Sequence, residues 1–278
     1  MRTLSICLAV LCLPSPALAR DRVPKNATCL DLVGLLKSDQ DEDTRKSACK
    51  RLADHKNLET IPAIGEALLK DASVKVRLEC LSTLRKMGPD PRSASAVREA
   101  ALKDSERKVR GEAMEAVPYV DPDVGGEVAL SVLAQDREPE VRRQACRAIE
   151  KKGWKNVEVE LNELVADAKE PSDVRRSCLA AVVSIGSDAG YALVGRLLTD
   201  APVDDVRREA AAQLDKHPRP SSLGPLCKAL SDKNQKVVAD AAKALKTLGL
   251  RDGARCLREA AKGRLASEME KYADELEK

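Results

Sequence analysis

The chain has 278 residues, with aromatics at only 1%, no Phe, charged residues at 33% and a formal net charge of +3. Such a composition excludes an aromatic-rich β-sandwich and leaves amphipathic helices whose core is Leu, Ala, Val and Ile. The near balance of charge gives no electrostatic footprint for nucleic acid, and the length is large for a single closed core.

At the amino end, Arg2, an apolar run from Leu4 to Leu13 and the small-residue site Ala17-Leu18-Ala19 have the layout of a secretory signal peptide over residues 1–19. The run is too short to be a permanent membrane span. Leu11 is a poor fit to the small residue that a lipoprotein site wants before Cys12. Cleavage after Ala19 is therefore expected, delivering a chain that starts at Arg20 to the periplasm or the exterior. No later apolar run is long enough to span a membrane.

From there the chain keeps a clock. Val-Arg with Ala or Cys close behind recurs at Val76, Val109, Val141, Val174 and Val206, with a divergent copy at Thr44 and another at Val237. The arginines Arg45, Arg77, Arg110, Arg142, Arg175 and Arg207 fall 32 or 33 residues apart, and Val238 stands 31 after the last. An Asp precedes each slot by six to eight residues: Asp39, Asp71, Asp104, Asp136, Asp167, Asp200 and Asp232. A Leu lies two or three residues before each Asp. Each unit thus reads as an apolar helix, a polar turn, and a second helix opening near Val-Arg. A fixed period in this range means a stack of small units, each touching only its neighbours.

In order, repeat one runs from about Cys29 to Leu52. Repeat two pairs helices near Thr60–Lys70 and Ser73–Met87, with Ser73 as cap and Gly88-Pro89 closing the unit. Repeat three has Ser105 as cap and ends near Pro118. Repeat four follows Asp121-Pro122 and ends at Gly153. Pro139 and Pro171 suit first-turn positions. Gly186 ends repeat five, His217-Pro218-Arg219-Pro220 closes six, and Gly249 ends seven. The solenoid is assigned to residues 20–250. The tail, 251–278, is charged and carries Leu257, Ala261, Leu265, Met269 and Tyr272 at three- and four-residue steps, as one capping helix with an apolar stripe.

The Asp-turn-Val-Arg pattern resembles the HEAT-repeat family, in particular the short bacterial form related to the HEAT-like repeats of phycobilisome lyases. The resemblance covers roughly Cys29 to Gly249. It implies an all-α, right-handed α-solenoid of about seven helix pairs with a C-terminal cap. It further implies that Asp and Arg form a structural ladder, bonded within and between units. Terminal repeats depart from the pattern, as expected where one face has no neighbour.

Beside the ladder runs a second set. Arg143, Arg176 and Arg208 follow the ladder arginine in three successive repeats. About 200° around the helix from the core-facing Val, they are expected to be exposed and stacked. Two readings stand: a basic stripe that receives an acidic peptide, or a solvated face neutralised by Glu138, Glu140, Glu170, Asp204, Asp205 and Glu209. Trp154, the only Trp, either packs under the next helix or anchors a partner. Tyr119 lies at the preceding inter-repeat turn.

Nine cysteines include Cys7 and Cys12 in the leader. Cys49 and Cys80, and Cys146 and Cys178, lie about one repeat apart; Cys227 and Cys256 are placed to tie the last repeat to its cap. Disulfides suit an exported chain, yet Cys is also a small core residue standing where other repeats hold Ala.

Catalytic material is sparse. His55 and His217 sit in polar links without a nucleophile or carboxylate at a motif spacing, and no metal or phosphate-loop motif occurs. The reading is an exported, non-enzymatic protein-binding or scaffolding solenoid, without cofactor or metal, whose C-terminal half engages an acidic protein partner and neither nucleic acid nor a membrane. The alternatives are an enzyme subunit by analogy with bilin lyases, and a structural spacer in an envelope assembly.

Overall fold

The computed structural model describes residues 23–278. The leader assigned to residues 1–19, with Cys7 and Cys12, lies outside them. Sixteen α-helices and no strand occur among the described residues. They pair as α1 (Cys29–Ser38) with α2 (Glu42–His55), α3 (Ile61–Lys70) with α4 (Val74–Met87), α5 (Pro91–Lys103) with α6 (Arg107–Val120), and α7 (Gly125–Gln135) with α8 (Pro139–Lys152). There follow α9 (Glu158–Ala166) with α10 (Ser172–Ile185), α11 (Asp188–Asp200) with α12 (Asp204–Lys216), α13 (Leu223–Ala229) with α14 (Gln235–Leu248), and α15 (Arg251–Ala260) with α16 (Ala266–Glu277).

The helices form two rows. Each even-numbered helix packs on the next, from α2 through α16, and most odd-numbered helices do the same. The even row packs more extensively than the odd one. The core runs the length of the stack. It contains the periodic Val76, Val109, Val141, Val174, Val206 and Val237, each at most 1% exposed, with Ala or Cys one turn on. Small residues at that second position let neighbouring even helices approach.

Helix ends follow the expected chemistry with instructive exceptions. Gly153, Gly186 and Gly249 stop their helices in the left-handed region at φ 62°, 78° and 71°, where any other L residue is strained. Pro139 opens α8, whereas Pro171 stands just before α10. The expected serine caps differ. Ser73 stands at the cap position of α4, but its hydroxyl donates to Glu42 on the preceding even helix at 2.5 Å. Ser105 lies one residue too early for α6. The turn Asp does the work instead: Asp71 Oδ1 accepts from Ser73 N at 2.8 Å and Asp104 Oδ1 from Glu106 N at 2.9 Å. Asp136 and Asp232 bind Glu138 N and Asn234 N likewise.

The tail is not one helix but an eighth pair. The chain breaks after α15, and Gly263 turns at φ 67° before α16 folds back. Arg258 then bonds Asp274 at 2.8 Å and Glu277 at 2.7 Å across the pair. Leu257 and Met269 are buried as the stripe implied, but from two helices.

Two disulfides staple neighbouring units: Cys146–Cys178 joins α8 to α10, and Cys227–Cys256 joins α13 to α15. Cys49 and Cys80 are buried thiols with their sulfurs 2.9 Å apart, and Cys29 is a half-buried thiol.

Candidate functional site

The ladder comes first, because it decides which arginines are free to act. Arg45 Nε and Nη2 donate to Asp71 of the next repeat at 2.8 and 2.9 Å. Arg77 holds Asp104 at 2.8 and 3.0 Å, Arg110 holds Asp136 at 2.6 and 3.1 Å, and Arg207 holds Asp232 at 2.6 and 3.0 Å. In each, Nη1 also donates to the carbonyl six residues back, such as Asp71 O at 2.8 Å from Arg77. One planar fork therefore ties its own turn to the next unit, a geometry that Lys cannot reproduce. Burial pushes the carboxyls of Asp71, Asp136 and Asp232 up, but the arginine forks and the backbone N–H of the turn outweigh it, and all three sit below the usual carboxylate range. The same bonds hold Arg45, Arg110 and Arg207 above their ordinary value.

Three assigned rungs depart from this scheme. Asp167 does not reach Arg142; Glu170 replaces it, accepting from Arg142 Nε at 2.9 Å. The turn between α9 and α10 spans five residues where the turns after α1, α3, α5 and α7 span three, which displaces Asp167. Asp200 ends α11 one position early and pairs at the surface with Lys228 at 3.3 Å, while the carbonyl bonded to Arg207 belongs to Ala201. Asp39, in the first unit, has no preceding rung; its carbonyl accepts from Arg45 at 3.0 Å.

The second arginine set is half-buried rather than exposed. Arg143 pairs with Glu140 and with Asp173 of the next repeat, Arg176 with Asp205 at 3.4 Å, and Arg208 with Asp240 at 3.0 Å. A face about 200° from the core Val is open on an isolated helix, but in the even row the neighbouring helix brings a carboxylate to it. Each charge is spent inside the molecule.

Trp154 is structural. It is 6% exposed, donates from Nε1 to Pro122 O at 2.7 Å and packs on Gly125 and Gly126 at the start of α7. A Cβ on Gly125 would stand 2.5 Å from Val117 and 2.8 Å from the indole. The ring fills the odd row where a short 3-10 turn, Lys155–Val157, precedes α9.

Tyr119 behaves differently. It is 40% exposed near the end of α6. Lys151 of α8 stands 4.3 Å above its ring and bonds its hydroxyl, and Arg85 of α4 lies 5.6 Å from the ring centre. The Lys151 bond lowers the Tyr119 hydroxyl below its usual value. Other tyrosines also carry a cation, but those cations have carboxylates: Arg219 over Tyr191 bonds Asp188 at 3.1 Å, and Lys246 over Tyr272 bonds Glu275 at 2.8 Å. Arg85 and Lys151 have no carboxylate partner among the described residues. Three consecutive even helices thus present two cations without an ion-pair partner among the described residues around one exposed aromatic ring, with the charge of Glu115 also acting on its hydroxyl. The spacing of Tyr119 and Lys151, 32 residues or one repeat, was visible in the sequence as a shared register.

Elsewhere, an open cleft of about 720 Å³ lies between α5 and the link from α6 to α7, lined by Leu102, Val124, Pro89, Pro122 and the Arg98–Asp121 pair. His55, expected in a polar link, is instead the exposed last residue of α2, and His217 is exposed just after α12. No metal-ligating cluster occurs among the described residues, and no helix there is long and apolar enough to cross a membrane.

The family model for HEAT repeats matches residues 30–117, 126–215 and 192–268. No curated protein matches the chain. Among solved structures, YibA of Escherichia coli superposes with a TM-score of 0.54 at 20% identity, covering 91% of this chain and 93% of that one. The complex of CpcE and CpcF of phycocyanin lyase from a Nostoc species gives 0.47 at 15%, covering 94% and 99%. Human deoxyhypusine hydroxylase gives 0.40 at 21%, covering 90% and 96%. At these identities the likeness concerns the fold alone.

Proposed function

Because the chain belongs to the HEAT-repeat family, we propose that it is an exported, non-enzymatic solenoid that binds an acidic protein partner around Arg85, Tyr119 and Lys151. One observation carries the reading. On a surface where the ladder arginines other than Arg175 and the stripe arginines are matched by carboxylates, these two cations are not, and an exposed Tyr stands between them. Tyr and Arg are the residues that most often dominate protein interfaces. Carboxylates of a partner complete the charge pairing that the chain leaves open. Pairing within the even row removes Arg143, Arg176 and Arg208 from that role, so the contact moves from the C-terminal half to α4, α6 and α8.

Export is supported by the leader-like residues 1–19 and by the two inter-repeat disulfides, which suit an oxidising compartment. The experiment is capture from an envelope fraction with the mature chain as bait. The partner should be released as ionic strength rises, and a bait carrying Arg85→Glu and Lys151→Glu should melt like wild type yet lose it. Undiminished recovery by that bait would remove the site from consideration.

A further inference from the structure

The ladder has a gap. Arg175 is 2% exposed, yet among the described residues its guanidinium makes one hydrogen bond, from Nε to Val165 O at 2.9 Å. No carboxylate pairs with it among the described residues. Two local changes produce this. The five-residue turn between α9 and α10 removes the carbonyl that Nη1 meets in the other forks. In the next unit the rung position is Ala201, identified by its carbonyl bond to Arg207 at 2.8 Å, the bond that Asp71 makes to Arg77. A methyl group therefore stands where Asp71, Asp104, Asp136 and Asp232 each deliver a carboxylate to the preceding arginine. Asp200, the neighbouring acid, is turned out to Lys228. Burial lowers Arg175 below its ordinary value, opposed only by the more distant charge of Asp167.

We propose that the guanidinium of Arg175, whose rung position in the next unit is held by Ala201, is an anion site that takes one carboxylate from outside the chain. With Nε held by Val165 O, the two Nη groups remain, and they offer a carboxylate two parallel N–H donors. A buried, uncompensated guanidinium is strongly disfavoured, so any anion that fits gains what the internal rung supplies elsewhere. The carboxylate has two sources, a free small anion or the side chain of an acidic residue on a bound protein. This site is separate from the surface at Tyr119 and stands without it.

The test is a set of thermal melts on the full chain, with sodium formate, blocked aspartate or sodium chloride at equal ionic strength. Formate should raise the wild-type melting temperature saturably above the chloride control. Ala201→Asp should melt higher than wild type in chloride and show no formate increment, because its own carboxylate fills the fork. Arg175→Met, which retains the buried stem, should also lose the increment, and it decides the matter should Ala201→Asp fold poorly. A response to blocked aspartate as well as formate assigns the site to a partner's side chain; a response to formate alone assigns it to a free anion. No formate effect on wild type, or an equal effect on Arg175→Met, overturns the proposal.

Discussion

Asp104→Ala removes one rung of the ladder and leaves its partner in place. Arg77 and Asp104 have side chains 9% and 7% exposed, joined by two bonds of 2.8 and 3.0 Å. The change strands a buried guanidinium and frees the Glu106 N–H that Asp104 Oδ1 accepts at 2.9 Å. Breaking a buried pair from one side costs about 3–5 kcal/mol, which in a chain of this size lowers the melting temperature by on the order of 10 °C. Replacing both partners, as Arg77→Met with Asp104→Ala, removes the stranded charge. The double variant should lie well above the sum of the singles, with a coupling of about 0.5–3 kcal/mol. Asp200→Ala is the matched control: its side chain is 62% exposed and bonded only at the surface, so it should stay within about 0.5 kcal/mol. Urea melts followed by far-ultraviolet dichroism measure all four. Equal costs for Asp104→Ala and Asp200→Ala, or strict additivity in the double variant, would refute the ladder as drawn.

Other outcomes follow from the same contacts. Gly125→Ala should cost about 1–3 kcal/mol by overpacking and shift the emission of the single Trp to the red, as the indole is pushed from its bed. Asp71, Asp136 and Asp232 titrate below their unfolded value near 3.9. Their contribution is therefore complete above that value and lost as pH falls through the lower folded values; melting temperature should hold to about pH 5 and fall in stronger acid. Alkylation of the unfolded, unreduced chain should label Cys29, Cys49 and Cys80 and spare Cys146, Cys178, Cys227 and Cys256, as read by peptide mass spectrometry.

Much of the fold could be read because one physical rule repeats. Val at the head of each second helix must be buried, and a 31–33 residue spacing sets every even helix in register. The ladder's exceptions were also written in the spacing. Asp and Arg are six apart at Asp71 and Asp104, but eight at Asp167 and seven at Asp200, and those two acids leave the rungs, while Asp39, also six from its arginine, lacks only a preceding unit. Three features escaped. Ser73 and Ser105 looked like caps because serine is a good one, while the Asp just upstream already held the turn's N–H. The tail's periodic stripe continued across Gly263, hiding a bend that only its left-handed backbone reveals. The face carrying Arg176 was judged from one helix, whereas its burial and its bond to Asp205 depend on the neighbouring helix in the even row. In sequence Tyr119 is an aromatic at a turn; the two cations around its ring come from adjacent repeats, and contacts of that kind emerge only once the units are stacked.

The proposed seat of the partner is the even row around Tyr119. A photo-crosslinking side chain placed at position 119, and in a second protein at Val159 on the odd row, which is 67% exposed, tests it most directly. The account predicts a single acidic protein joined at 119, lost with Arg85→Glu and Lys151→Glu, and no adduct at 159. An adduct confined to 159, or one at 119 that survives the charge reversals, would contradict it.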